Sequence, residues 1–164
     1  MSEERIWREL HGLRLRVPDM TGSLVATCDG FLVASDLPDL VEPDGMAAMT
    51  ATELSLSDRV ARTAADGAFE EVVIRNSGGH VAIYAVGPTA ALAILAGPGV
   101  TLGRLHLEAR PVARAIEAFL PEPTMERTRN VEPGPVAQGD DVDRWRPRRG
   151  DRRLQQWHGA GRAR

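Results

Sequence analysis

Ser23-Leu-Val-Ala-Thr-Cys28, Asp29-Gly30, Phe31-Leu-Val-Ala-Ser35: two short runs of apolar and β-branched residues flank a dipeptide suited to a tight turn. An Asp-Gly pair in that setting is the strongest short-range signal for a β-hairpin. A type I′ turn needs positive φ at both central residues, and these residue types tolerate it. The reading is two antiparallel strands with a type I′ turn at Asp29-Gly30. Residues 36–43 follow with two prolines and three acidic residues, a surface-loop composition.

Upstream, Ile6, Leu10, Leu13 and Val17 recur at spacings of four, three and four, one stripe of an amphipathic helix with Trp7 beside it. Ser2 suits the cap, Glu3 and Glu4 suit the positive end, and Pro18 stops the helix. Downstream, residues 44–66 are rich in Ala, Met and Leu and free of proline, which predicts a long helix with Asp44 as N-cap and Gly67 as left-handed C-cap. One side carries Met49, Leu56 and Val60, and another carries Ala47, Ala51, Leu54, Ala61 and Ala65. A surface helix needs one apolar stripe, so two such sides imply a second contact beyond its own sheet. The alternative is that the alanines are good helix formers on a solvated face.

Residues 69–75, 80–86 and 90–96 then read as three strands, separated by Asn76-Ser-Gly-Gly79 and Gly87-Pro88-Thr89. Glu70 and Glu71 imply that one face or end of the first of these strands meets solvent. With the hairpin they make a five-stranded, largely antiparallel sheet. Thr101 is placed to cap a last helix with the stripe Leu102, Leu105, Ala109, Val112, Ile116 and Leu120. Pro111 interrupts that pattern and predicts a kink, or a helix that begins near Arg110. After Leu120 the aliphatic pattern dissolves amid prolines, so the expectation is a domain over residues 1–120 and a mostly disordered tail over 121–164, with a short helix at residues 151–158 only on a partner.

The composition, 43% hydrophobic and 26% charged over 164 residues, is that of one soluble domain. All twenty basic residues are arginine, a bias that points to a G+C-rich bacterial genome. Residues 1–120 carry 10 arginines against 16 acidic groups, while residues 121–164 carry 10 against 7. The acidic domain argues against nucleic-acid binding by the folded part. The six arginines of residues 144–153 are either a solvated, solubilising run or an anchor for an acidic surface. A charged opening segment, a single cysteine and the absence of a long apolar run predict a cytoplasmic protein with no disulfide and no membrane span.

Catalytic chemistry is not visible. His11, His80, His106 and His158 lack metal-ligand spacing, and residues 97–103 lack the Gly-Lys-Ser/Thr ending of a phosphate loop. Cys28 lies near no evident base and reads as a small core residue. The expectation is no catalytic residue, no cofactor and no metal.

The order helix, hairpin, long helix, three-stranded meander, helix resembles the roadblock, or dynein light-chain, family. Four stretches are similar to its bacterial members: residues 22–35 with the Asp29-Gly30 turn, 46–64 in the long helix, 81–95, and Leu102-Gly103 running to Glu108-Ala109-Arg110. Pro111 and the long tail depart from the pattern. The resemblance spans about residues 4–120 and implies an α+β, profilin-like three-layer sandwich, with the long helix on one sheet face and the two terminal helices on the other.

The resemblance also implies a protein that is not an enzyme: a homodimer, or a heterodimer with a paralogous roadblock protein, in which long helices pair and edge strands join. Its implied partner is a small Ras-like GTPase whose nucleotide cycle it modulates, or which it couples to a sensor kinase. The expected interface draws on Ala47, Ala51, Leu54, Arg59, Ala61, Arg62 and Ala65 of the long helix and on Val73 and Arg75 of the third strand. Arg59 and Arg62 alternatively pair with Glu53, Asp58 or Asp66 on their own helix. Ala61→Arg or Ala51→Glu is expected to dissociate the dimer without unfolding it. A competing reading is a small-molecule sensor using one face of the sheet, though 4% aromatic content furnishes such a pocket poorly.

Overall fold

A computed structural model describes residues 2–64 and 67–120; the side chain of Ser2, expected as a cap, lies outside the described residues. The elements follow in the order α1 (Ser2–Arg16), β1 (Met20–Thr27), β2 (Leu32–Asp36), α2 (Pro43–Ala64), β3 (Glu71–Asn76), β4 (Gly79–Val86), β5 (Ala90–Ala96) and α3 (Leu102–Glu117). The strands form one sheet in the order β2-β1-β5-β4-β3, with every neighbouring pair antiparallel. The expected tail, residues 121–164, lies outside the described residues.

The layers follow from alternation in the central strand. On β5, Ala90, Leu92, Ile94 and Ala96 face one core with the α1 stripe Ile6, Leu10, Leu13 and Val17 and the α3 stripe Leu105, Ala109, Val112 and Ile116. Ala91 and Ala93 face the other side, where with Ala26 and Leu24 they meet Ala47 of α2. Large residues hold up the two-helix layer, and small ones let α2 lie close to the sheet. Helix α2 packs mainly over β1, β2 and β5, so the β3 side of the sheet extends beyond it.

Four local expectations are corrected. The Asp29-Gly30 turn is not type I′, because only Gly30 has positive φ (87°). The Gly30 N–H donates to the Thr27 carbonyl (2.9 Å) and the Thr27 N–H to the Phe31 carbonyl (2.9 Å), closing a three-residue loop with glycine in the left-handed position. Helix α2 is capped by Glu42 rather than Asp44: its carboxylate accepts from the Asp44 N–H (3.0 Å) and the Gly45 N–H, and Pro43 takes the first helical position, where a missing donor costs nothing.

Thr101 has extended N-cap geometry but makes no side-chain cap, its carbonyl alone accepting from the Leu105 N–H (3.0 Å). Finally, α3 runs without a break from Leu102 past Pro111 to Glu117 rather than starting near Arg110. Pro111 and Leu107 are both exposed, so the carbonyl freed by the proline faces water instead of the core. Helix α2 ends at Ala64, and the expected Gly67 cap depends on residues 65 and 66, which lie outside the described residues.

Candidate partner-binding surface

Helical geometry divides α2 into two opposed faces. Ala47 is fully buried against the chain's own sheet, Ala51 is buried next to the Gly30 loop, and Leu54 is partly buried on the same side. Met49, Leu56 and Val60, at spacings of seven and four, project the other way and are 61%, 56% and 59% exposed. Of the interface set expected from sequence, Ala47 and Ala51 therefore lie on the inward face. Their surface is consumed inside the chain, and the uncovered apolar ridge is the Met49, Leu56, Val60 side.

The remaining nominated residues scatter. Ala61 is half-buried on the flank of α2, and Ala65 lies outside the described residues. Arg62 is tied to Asp58 on its own helix, with Nε 2.7 Å from the carboxylate, as the alternative reading allowed. Arg59 instead lines a shallow groove with Thr52 and Ser55 of α2 and Cys28 and Asp29 of the hairpin loop. That loop sits close: a Cβ on Gly30 would stand 3.3 Å from Ala48 Cα, on top of the strain of φ at +87°. Cys28, expected in the core, is exposed, and its Sγ lies 3.5 Å from the Pro88 carbonyl. Partial burial and then the Asp29 carboxylate push its pKa up, which keeps the thiol protonated and weakly nucleophilic.

On β3, the strand that ends the sheet, Val73 points to the α1 and α3 side and packs against that core, while Arg75 is exposed. Val72 faces the α2 side, and Ile74, with no helix above it, is 40% exposed. An exposed isoleucine on the edge strand and an exposed apolar ridge on α2 thus both lie on the α2 side of the sheet.

A polar cluster ties this edge to α3. Arg110 donates to both oxygens of Glu71, and the Glu71 Oε1 atom is also 3.3 Å from His106 Nδ1. His106 Nδ1 in turn lies 2.9 Å from the hydroxyl of Tyr84, a buried residue of β4. The Arg110 hydrogen bonds hold Glu71 below the usual carboxylate range, with His106 adding to the effect. Burial, and then the Glu71 charge, raise the Tyr84 pKa, so its hydroxyl stays protonated. Sequence reading missed this cluster, since only His106 and Arg110 have a recognisable spacing. Among the described residues no group of three or more His, Cys, Asp or Glu side chains is placed to hold a metal ion, and no helix is long and apolar enough to cross a membrane.

The Roadblock/LC7 domain family model matches residues 7–96. Among solved structures, the Roadblock/LC7 domain from Streptomyces avermitilis is similar at 24% identity and a TM-score of 0.65, over 69% of this chain and 95% of that one. The gliding protein MglB from Thermus thermophilus is similar at 17% identity and a TM-score of 0.64, over 72% and 90%. Myxococcus xanthus MglB is similar at 13% identity and a TM-score of 0.65, over 74% and 94%. At these identities the likeness establishes the fold. None of the curated proteins matches the chain. With the family match covering more than half of its residues and the same layered fold in those structures, this chain belongs to the Roadblock/LC7 domain family.

Proposed function

We propose that the chain is a non-catalytic regulatory or scaffold protein of the cytoplasm. It acts as a dimer with itself or a paralogous roadblock protein, and it binds a small Ras-like GTPase whose nucleotide cycle it modulates or which it couples to a sensor kinase. The observation that carries this reading is the exposed ridge of Met49, Leu56 and Val60 on α2, together with the β3 edge of the same sheet, on a domain of a family whose expected partners are proteins. Pairing of two α2 ridges buries the leucine and its neighbours, and pairing of two β3 edges satisfies the outer backbone groups of both strands.

A regulator of this kind supplies no reacting group. By binding one conformation of the GTPase switch segments more tightly, it shifts a population that already exists. Arg59, in its groove, and Arg75, on the edge strand, are the cations offered to an acidic partner. Residues 1–120 serve as the folding unit, with residues 121–164 as an appended basic arm. The small-molecule reading has less support, because packed side chains of α2 on one face and of α1 and α3 on the other cover the central strands of the sheet.

The test is GTP hydrolysis and nucleotide release by a Ras-like GTPase encoded beside this chain, measured with and without the full-length protein. A change in either rate that Leu56→Glu abolishes is expected. Absence of both binding and any rate change sinks the proposal.

A further inference from the structure

The second edge of the sheet carries a surface that the dimer and GTPase reading does not use. Among the described residues β2 pairs with β1 alone, so its outer backbone groups are unmatched. Its sequence, Leu32-Val-Ala-Ser-Asp36, has no proline and no basic residue among the devices that usually blunt an edge. The strand is shortened instead by a bulge: Val25 pairs with Ala34 and Ala26 with Leu32, which leaves Val33 without a partner.

Alongside this edge runs a groove whose wall is α1 and whose floor is β2. Glu3, Glu4 and Trp7, three and four residues apart, share one side of the helix and line it opposite Leu32, Val33 and Ser35. Trp7 is 43% exposed although it stacks on His11, with ring centroids 5.0 Å apart. Among the described residues neither Glu3 nor Glu4 forms an ion pair. Their position at the start of α1 suits the helix dipole, but two full carboxylate charges exceed the roughly half charge of a helix terminus, so the groove remains negative.

We propose that this groove is a docking site for an extended protein segment bearing arginine, added as a short strand to β2. Backbone hydrogen bonds to an edge strand are indifferent to sequence, so specificity falls to side chains. The bulge restricts the added strand to a few residues, which places most of the affinity on an arginine that meets the carboxylates of Glu3 and Glu4 and the face of Trp7. A guanidinium suits both, forking onto a carboxylate and stacking on an indole. Because the groove lies at the β2 edge, opposite β3, it can be filled while α2 and β3 are engaged.

The probe is a fluorescently labelled octapeptide of alternating arginine and valine, titrated into the full-length protein and followed by anisotropy. Saturable binding is expected, weakened roughly tenfold by Trp7→Ala and about fivefold by Glu3→Gln with Glu4→Gln, the latter with a reduced salt dependence. The double Gln variant alters exposed positions only and so guards against a folding defect at Trp7. Leu56→Glu, on the opposite surface, is expected to leave the affinity unchanged, which separates this site from the GTPase reading. The proposal is overturned if the peptide does not bind, if the Trp7 and Glu variants bind it as the wild type does, or if an N-methylated backbone binds equally well. A change of oligomeric state in Trp7→Ala would also overturn it, by making this face an interface between copies.

Discussion

Arg110 of α3 grips Glu71 of β3 with both ends of its guanidinium, Nε at 3.0 Å from Oε2 and Nη2 at 2.8 Å from Oε1. The two residues are 39 apart in sequence, and the pair fastens the outermost strand of the sheet to the helix layer behind it. Forked geometry of this kind resists the rotational averaging that makes most surface ion pairs weak.

The depressed Glu71 pKa has a definite consequence for stability against pH. A carboxylate whose folded pKa lies below its unfolded value stabilises the fold fully above the unfolded value, about 4.3 for glutamate, and the gain is lost as pH falls through the folded value. Glu71→Gln is therefore expected to melt below the wild type above pH ~5, and the two are expected to converge as pH falls beneath ~4. Thermal melts across pH 3 to 7 (an approximate window, roughly that of carboxylate titration) check this. Parallel curves would remove the pair from the stability of the strand.

Gly79 opens β4 with φ at 152°, and a Cβ there would stand 2.1 Å from the carbonyl oxygen of Ala96 on the neighbouring strand. The obstacle is backbone of a central strand, which cannot swing aside as a flexible side chain would. Gly79→Ala is expected to destabilise by about 2–4 kcal/mol, read from denaturant midpoints. Gly30→Ala, where the nearest atom is at 3.3 Å but φ is +87°, is expected to cost less, about 1–2 kcal/mol.

How far the sequence carried depended on whether a feature is local. The α1 stripe, the hairpin and the meander are periodic over a few residues, and the structure has them all. The two apolar sides of α2 were equally visible, yet which of them faces inward is decided elsewhere. Ala26, Ala91 and Ala93 on the sheet leave room for alanine and none for the Met49, Leu56, Val60 ridge. Periodicity within one helix does not contain that complementarity. The Glu71, Tyr84, His106 and Arg110 cluster draws on three elements, so nothing short of the assembled fold brings it together. Glu42 escaped notice as a cap because short polar residues lead that position, and a glutamate reaches it here only with proline following.

That inward face revises the expected outcome of Ala51→Glu. Ala51 is 6% exposed and packed next to the Gly30 loop, so a carboxylate there loses its solvation and crowds that loop. Unfolding or loss of about 2–4 kcal/mol is expected, in place of a folded monomer. Leu56→Glu, on the ridge, is expected to retain the circular dichroism and melting behaviour of the wild type while shifting the protein from dimer to monomer in sedimentation. A monomeric wild type at high concentration would refute the pairing of the ridges.

Pro111 offers the last test, because the helix that should have broken there continues. A proline in a helix interior costs about 3 kcal/mol through its missing N–H and its clash with the carbonyl four residues earlier. Here that carbonyl belongs to Leu107, which is 71% exposed, so water can take the place of the lost hydrogen bond, but the steric cost remains. Replacing the ring by alanine restores the donor, and it also gives the unfolded chain more freedom, which opposes the gain by roughly 0.4–1 kcal/mol. The net expectation for Pro111→Ala is stabilisation of about 1–2 kcal/mol, visible as a higher melting temperature with no change in secondary structure. A neutral or destabilising result would mean that the backbone around residues 107–111 is shaped by the proline for a purpose other than stability.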